Sequence, residues 1–219
     1  MSQALIFDMD GTLFQTDKIL ELSLDDAFNH LRELDQWDTE TPIEKYRKIM
    51  GMPLPKVWET LLPGHSSELR EQVNDHFLER LIKNINSGKG ALYPHVEEAF
   101  SYLTEKGYSI YIASNGLTEY LQAIVRYYRL EQWVTETFSI EQIQTLDKAD
   151  LVKTIIEKYS VKKAVVVGDR LSDINAAKEN GLASIGCNFD FAREDELSQA
   201  DRVIDDLIDL KTIVPALDQ

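Results

Sequence analysis

Cysteine is almost missing from this chain: Cys187 is the only one in 219 residues. That excludes a disulfide framework and a zinc site built on Cys/His spacing. The four histidines, His30, His65, His76 and His95, are scattered and form no metal signature. No apolar run approaches the roughly 20 residues of a membrane-spanning helix. No basic region followed by an apolar segment marks a signal peptide at the N-terminus. Positive charge is also short: Lys plus Arg number 23 against 38 Asp plus Glu, a net charge of −15. So acidic a surface argues against nucleic acid and anionic membranes as partners. The expectation from these shortages is a soluble cytoplasmic protein, monomer or homodimer. Any anionic ligand would need positive charge supplied locally.

Hydrophobic residues make up 43% of the chain, enough for one substantial core and a smaller subdomain. Four short apolar runs bounded by turn residues read as strands: Ala4–Phe7, Ser109–Ala113, Ala164–Val167 and Ala183–Gly186. A fifth is expected at Phe138–Ile140 and a sixth at Val203–Ile204. Ala164–Val167 is apolar throughout, as in a parallel strand covered on both faces. Helical patterns separate the strands. Pro94 opens one, with Val96, Ala99, Phe100 and Leu103 as its stripe and Gly107 as its end. Another carries Val152, Ile155, Ile156 and Tyr159, and a third runs from Asp173 to Asn180. Alternation of this kind implies an α/β fold with a doubly wound parallel sheet. Residues 15–86 break the alternation. They hold helical stripes at Leu20, Leu24, Phe28 and Leu31 and at Leu69, Val73, Phe77 and Leu81, with shorter helices near 43–50 and 56–62. We read them as an all-helical insertion, returning through the flexible stretch Asn86–Gly90. The expected domains are therefore 1–14 with 87–219, and 15–86.

The most informative residues close the first strand. An apolar run stops at Asp8-Met9-Asp10-Gly11-Thr12. On an extended chain Asp8 and Asp10 project to one side, where they repel unless a cation or a shared proton lies between them. Gly11 permits a sharp turn. A calcium loop fails on register, because its first ligand would be Ile6. Ligands in open α/β sheets bind beyond the carboxyl ends of strands, so the other strand ends gain meaning. One ends at Ser114-Asn115-Gly116, offering a hydroxyl and the backbone amides of Asn115 and Gly116 to an anion. Another ends at Gly168-Asp169, with Asp173 at the start of the next helix, where capping is the plainer role. Lys148 sits just before a helix expected to begin near Ala149, where a solvated surface lysine is the plainer role. Carboxylates at 8, 10 and 169 suit magnesium, which takes oxygen ligands octahedrally.

In order, Asp8-Met9-Asp10-Gly11-Thr12, Ser114, Lys148, and Gly168-Asp169 with Asp173 resemble the four motifs of the haloacid dehalogenase superfamily. The insertion resembles the C1-type cap of the subfamily that includes phosphoglycolate phosphatases. Tyr93-Pro94 is similar to that subfamily, and Gly51-Met52-Pro53 resembles its cap loop facing the substrate. There are two departures: Ala149 stands where proline is frequent, and His95 where glycine is common. The resemblance implies a magnesium-dependent phosphomonoester hydrolase acting on a small phosphorylated metabolite. Asp8 would be the nucleophile and Asp10 the general acid and base. Ser114, Asn115 and Lys148 would hold the phosphate. Asp8, the Asp10 main-chain carbonyl, Asp169 and Asp173 would serve the metal, and the cap would close over the site. A 5'-nucleotidase, a phosphomutase and a non-catalytic binding protein are the competing readings. Intact Asp8 and Asp10 disfavour the last. Arg47, Lys48, Lys56, Trp37, Trp58 and Arg170 are residues whose contact with substrate the sequence leaves open.

Overall fold

Among the described residues, six short strands pair into one sheet. The computed structural model describes residues 3–49, 52, 54–190 and 192–217. The chain begins with β1 (Gln3–Phe7) and then forms four helices, α1 (Asp17–Glu33), α2 (Ile43–Arg47), α3 (Leu54–Leu61) and α4 (Ser67–Asn86). It continues through α5 (Val96–Glu105), β2 (Ser109–Ser114), α6 (Thr118–Tyr127) and β3 (Val134–Ser139). Next come α7 (Lys148–Tyr159), β4 (Lys163–Gly168), α8 (Leu171–Glu179) and β5 (Ala183–Cys187). The one-turn α9 (Glu194–Leu197), β6 (Arg202–Ile204) and α10 (Leu210–Leu217) complete it. The sheet order is β3-β2-β1-β4-β5-β6, with every pair parallel. This is the expected doubly wound α/β architecture.

Strand alternation sends side chains to two covered faces. Ala4 and Ile6 join Tyr111, Ala113 and Val166 in a core with Leu151, Val152 and Ile155 of α7 and Ala176 and Ala177 of α8. From the same strand, Phe7 packs its ring against Phe100 of α5, with centroids 5.0 Å apart. Full burial of each such large side chain contributes about 1.5–3 kcal/mol.

The chain divides into two compact units, Met1–Gln15 with Ala91–Gln219, and Thr16–Gly90. In the helical unit α1 and α4 run antiparallel, joined by Asn84 Nδ2 to Ser23 Oγ (2.9 Å) and Arg80 to Asp26 (2.8 Å). The two crossings between units lie side by side. The Gln15 amide donates to the Ala91 carbonyl at 2.9 Å, the Gln15 side chain donates to the Leu92 carbonyl at 2.6 Å, and Phe14 forms an antiparallel bridge with Leu92.

Three local expectations change. The stretch expected to be flexible stays attached to α4: the amides of Ser87, Gly88 and Lys89 donate to the carbonyls of Lys83, Ile85 and Asn84. The return to the sheet unit therefore falls later than residue 87. β3 starts at Val134 rather than 138, because the polar residues Thr135, Glu136 and Thr137 belong to the sheet's edge strand. Pro94 lies outside α5, whose N-cap is His95 in the left-handed region at φ 61°. Glycine takes that conformation without steric cost. Here His95 Nδ1 instead pairs with Asp206 at 2.8 Å. Of the expected cap loop, Gly51 and Pro53 lie outside the described residues.

Candidate active site

The register of two strands assembles the centre. Phe7 is opposite Val167, and the Asp8 amide continues the ladder by donating to the Val167 carbonyl at 2.9 Å. Asp8 thus reaches the end of β1 beside the end of β4, where Gly168 leads into Asp169. Strand order reverses between these two strands, the place where open α/β sheets bind ligands. The chain turns at once after Asp8. The amides of Leu13 and Phe14 both donate to the Met9 carbonyl at 2.9 Å, and Gly11 adopts φ 75°. A Cβ on Gly11 would stand 2.5 Å from Asp169 Oδ2, so only glycine allows this approach. Thr12 Oγ1 donates to Asp169 Oδ1 at 3.3 Å.

Lys148 is the hub. Its Nζ lies 2.7 Å from Asp8 Oδ1 and 2.5 Å from Asp173 Oδ1, and all three residues are buried. Burial alone would lower the lysine pKa. The fields of Asp173 and Asp8 outweigh it and hold the ammonium above its ordinary value, so Lys148 is charged. Lys148 is the first residue of α7, whose N-cap Asp147 accepts from the Ala149 amide at 2.8 Å. A proline at 149 would have no N–H to give to this cap. Asp173 fills both roles considered for it. Its Oδ2 accepts from the Arg170 amide at 3.1 Å at the start of α8, and its Oδ1 faces Lys148.

Asp8, Asp169 and Asp173 offer ligand oxygens that all lie within 4.8 Å of one another. Burial, then the charges of Asp8 and Asp173, push the Asp169 carboxyl well above the usual range. Burial also pushes Asp173 up, with Lys148 pulling the other way and Asp8 adding to the rise. With all three carboxyls ionised, the one ammonium leaves the centre two positive charges short. That deficit and the all-oxygen donor set fit a hard divalent cation.

The remaining expected residues fall into place unevenly. Ser114 is buried at the end of β2, next to β1. Its Oγ accepts from the Gly116 amide at 3.1 Å, so that amide is turned onto the serine instead of pointing outward as expected for an anion. Asn115 is exposed. Asp10 stands outside the three-carboxylate cluster, and its Oδ1 accepts from Tyr120 OH at 2.5 Å. Tyr120 was not found in the sequence, since nothing in Thr-Glu-Tyr at the start of a helix signals it. Arg170 Nε is paired with Glu196 at 3.1 Å. In the helical unit, Trp58 is buried edge-on to Phe77 with Nε1 donating to Asn74 Oδ1 at 2.9 Å, and Trp37 packs edge-on to Phe28. Arg47 pairs with Glu21 and Glu44, while Lys48 and Lys56 are exposed. Cys187, at the end of β5, is fully buried, and burial pushes its thiol pKa well up.

The parallel α/β sheet thus gathers three buried carboxylates and a charged lysine at its strand ends. The sequence model of the haloacid dehalogenase-like hydrolases matches residues 3–181, and the chain belongs to that family. It is 24% identical to a 5'-nucleotidase of Pseudomonas aeruginosa, over 88% of this chain and 86% of that protein. It is also 24% identical to a phosphoglycolate phosphatase of Mannheimia succiniciproducens, over 95% and 96%. Among solved structures, CbbY from Rhodobacter sphaeroides in complex with phosphate shares the fold, with TM-score 0.81, 21% identity and 96% of each chain covered. Among the described residues, no helix is long and apolar enough to cross a membrane.

Proposed function

We propose that this hydrolase is a magnesium-dependent phosphatase that removes phosphate from a small phosphorylated metabolite through an aspartyl-phosphate on Asp8. The observation that carries the reading is Lys148, buried and charged between Asp8 and Asp173 and next to Asp169. A charged lysine there offsets the repulsion between the Asp8 carboxylate and an incoming phosphate dianion. Asp8 Oδ attacks phosphorus as the bond to the leaving oxygen breaks, and protonated Asp10 gives its proton to that oxygen. Water then attacks the aspartyl-phosphate, Asp10 takes back one proton, and phosphate leaves with Asp8 regenerated. Asp8, Asp169, Asp173 and the Asp10 main-chain carbonyl are the groups that would hold the metal. A bound magnesium ion supplies positive charge to the phosphate oxygens. Ser114 Oγ, fixed by the Gly116 amide, has its hydroxyl proton to give to a phosphate oxygen.

Relatives named for nucleotides and for phosphoglycolate are equally distant from this chain, so likeness does not choose the substrate. Burial of Trp58 removes one candidate base-stacking surface. The test is phosphate release from phosphoglycolate, sugar phosphates, nucleoside monophosphates and an aryl phosphate, with magnesium or chelator. We expect magnesium-dependent turnover that Asp8→Asn abolishes. No turnover of any ester by folded, metal-loaded protein would overturn the phosphatase reading and leave a mutase or a binding role.

A further inference from the structure

We propose that Tyr120 is the positioning residue for Asp10. The inference rests on the phosphomonoesterase reading and adds to it a residue from a neighbouring element. The Tyr120 hydroxyl donates to Asp10 Oδ1 at 2.5 Å, the length of a hydrogen bond to a carboxylate. A general acid must present its proton along a defined direction to the leaving oxygen. With Oδ1 accepting from the tyrosine, the Asp10 carboxyl is held in one orientation.

The surrounding structure is built to fix that hydroxyl. Tyr120 is buried on the first turn of α6. The start of that helix is tied to the end of β3 by the Thr118 amide, donating to Glu141 Oε2 at 2.7 Å, and by Ser139 Oγ, donating to the Gly116 carbonyl at 2.7 Å. Gly116 leaves room for the ring: a Cβ there would meet Tyr120 Cδ1 at 3.2 Å and Leu121 Cδ2 at 3.0 Å. Asp10 is fixed from its own side by the bridge to Phe14 and by the Gly11 amide, which donates to the Phe14 carbonyl at 3.1 Å. Phenylalanine at 120 would keep the ring and remove the positioning bond.

The test uses the leaving group. An alkyl alcohol needs the Asp10 proton to depart, whereas p-nitrophenolate departs without it, and both phosphoenzymes need Asp10 to activate water. For Tyr120→Phe we expect kcat on an alkyl phosphate to fall by about tenfold or more with KM nearly unchanged. On p-nitrophenyl phosphate, stopped flow should show a burst approaching one equivalent of p-nitrophenolate and then slow turnover. Gly116→Ala, which crowds the ring but keeps the hydroxyl, should show the same pattern more weakly. Wild-type kcat in both variants would overturn the inference. Equal slowing of the burst and of alkyl turnover would too, because it marks general damage to the site. A faster Tyr120→Phe enzyme would mean that Tyr120 holds Asp10 away from the reaction. Absence of turnover in the wild type is a separate result: it removes the phosphatase reading and the inference with it.

Discussion

At the scale of single residues, the centre depends on atoms that are missing. Gly168 has no side chain, and a Cβ there would stand 2.1 Å from Asp173 Cγ. Asp173 can face Lys148 only because that space is open. Gly168→Ala should force Asp173 off the lysine and lower kcat by about a hundredfold, the scale of a displacement near 1 Å in a catalytic group. Steady-state kinetics on the best ester, beside a circular-dichroism check of folding, would show it. Activity close to wild type would mean that the position of Asp173 is immaterial. Lys148 depends on a polar residue before it: Asp147 caps α7 and so sets the direction of the helix's first residue.

At the scale of elements, the edge of the sheet is held by a side chain outside the strands. Asp201, just before β6, accepts from the amide and the hydroxyl of Ser184 in β5, at 2.8 and 2.9 Å. The amide bond is the main reason its carboxyl sits below the usual range. A lowered folded pKa means stability that is present above the unfolded value, about 3.9, and lost as pH falls through the folded one. Asp201→Ala should therefore lower the denaturant midpoint at neutral pH, with the gap from wild type narrowing below about pH 4. A gap that is constant with pH would contradict this. The elements that sequence patterning located were those whose burial is periodic, such as α5 with Val96, Ala99, Phe100 and Leu103. The edge strand β3 was misplaced because the polar, partly exposed residues Thr135, Glu136 and Thr137 separate its two buried apolar residues, Val134 and Phe138. The site divides in a similar way. Asp8, Asp169, Ser114 and Lys148 were legible because each marks the end of a strand or the start of a helix. Tyr120 was not, because its meaning depends on which loop lies across from its helix. Nor was the inward turn of the Gly116 amide, a matter of backbone direction alone.

At the scale of the whole molecule, net charge and metal meet in stability. The chain carries −15 overall, and the three clustered carboxylates add a local repulsion. A cation bound only by the folded state stabilises it by about 2.7 kcal/mol at a hundred times its Kd. Millimolar magnesium should raise the melting temperature by several degrees over chelator. Asp169→Asn should abolish that response and, in chelator, melt above the wild type. An unchanged response in Asp169→Asn would exclude it as a ligand. The paired crossings at Gln15 and Ala91 carry a last consequence. Seen from the sheet, everything between them is a hairpin tip whose two legs are already bonded together. Doubling the length of such a tip costs only about 0.6 kcal/mol of closure entropy. The sheet unit is in effect a socket: a different insert can be spliced in at Gln15 and Ala91 without moving a strand by one register, so one catalytic frame can be inherited intact while what is plugged into it is rewritten.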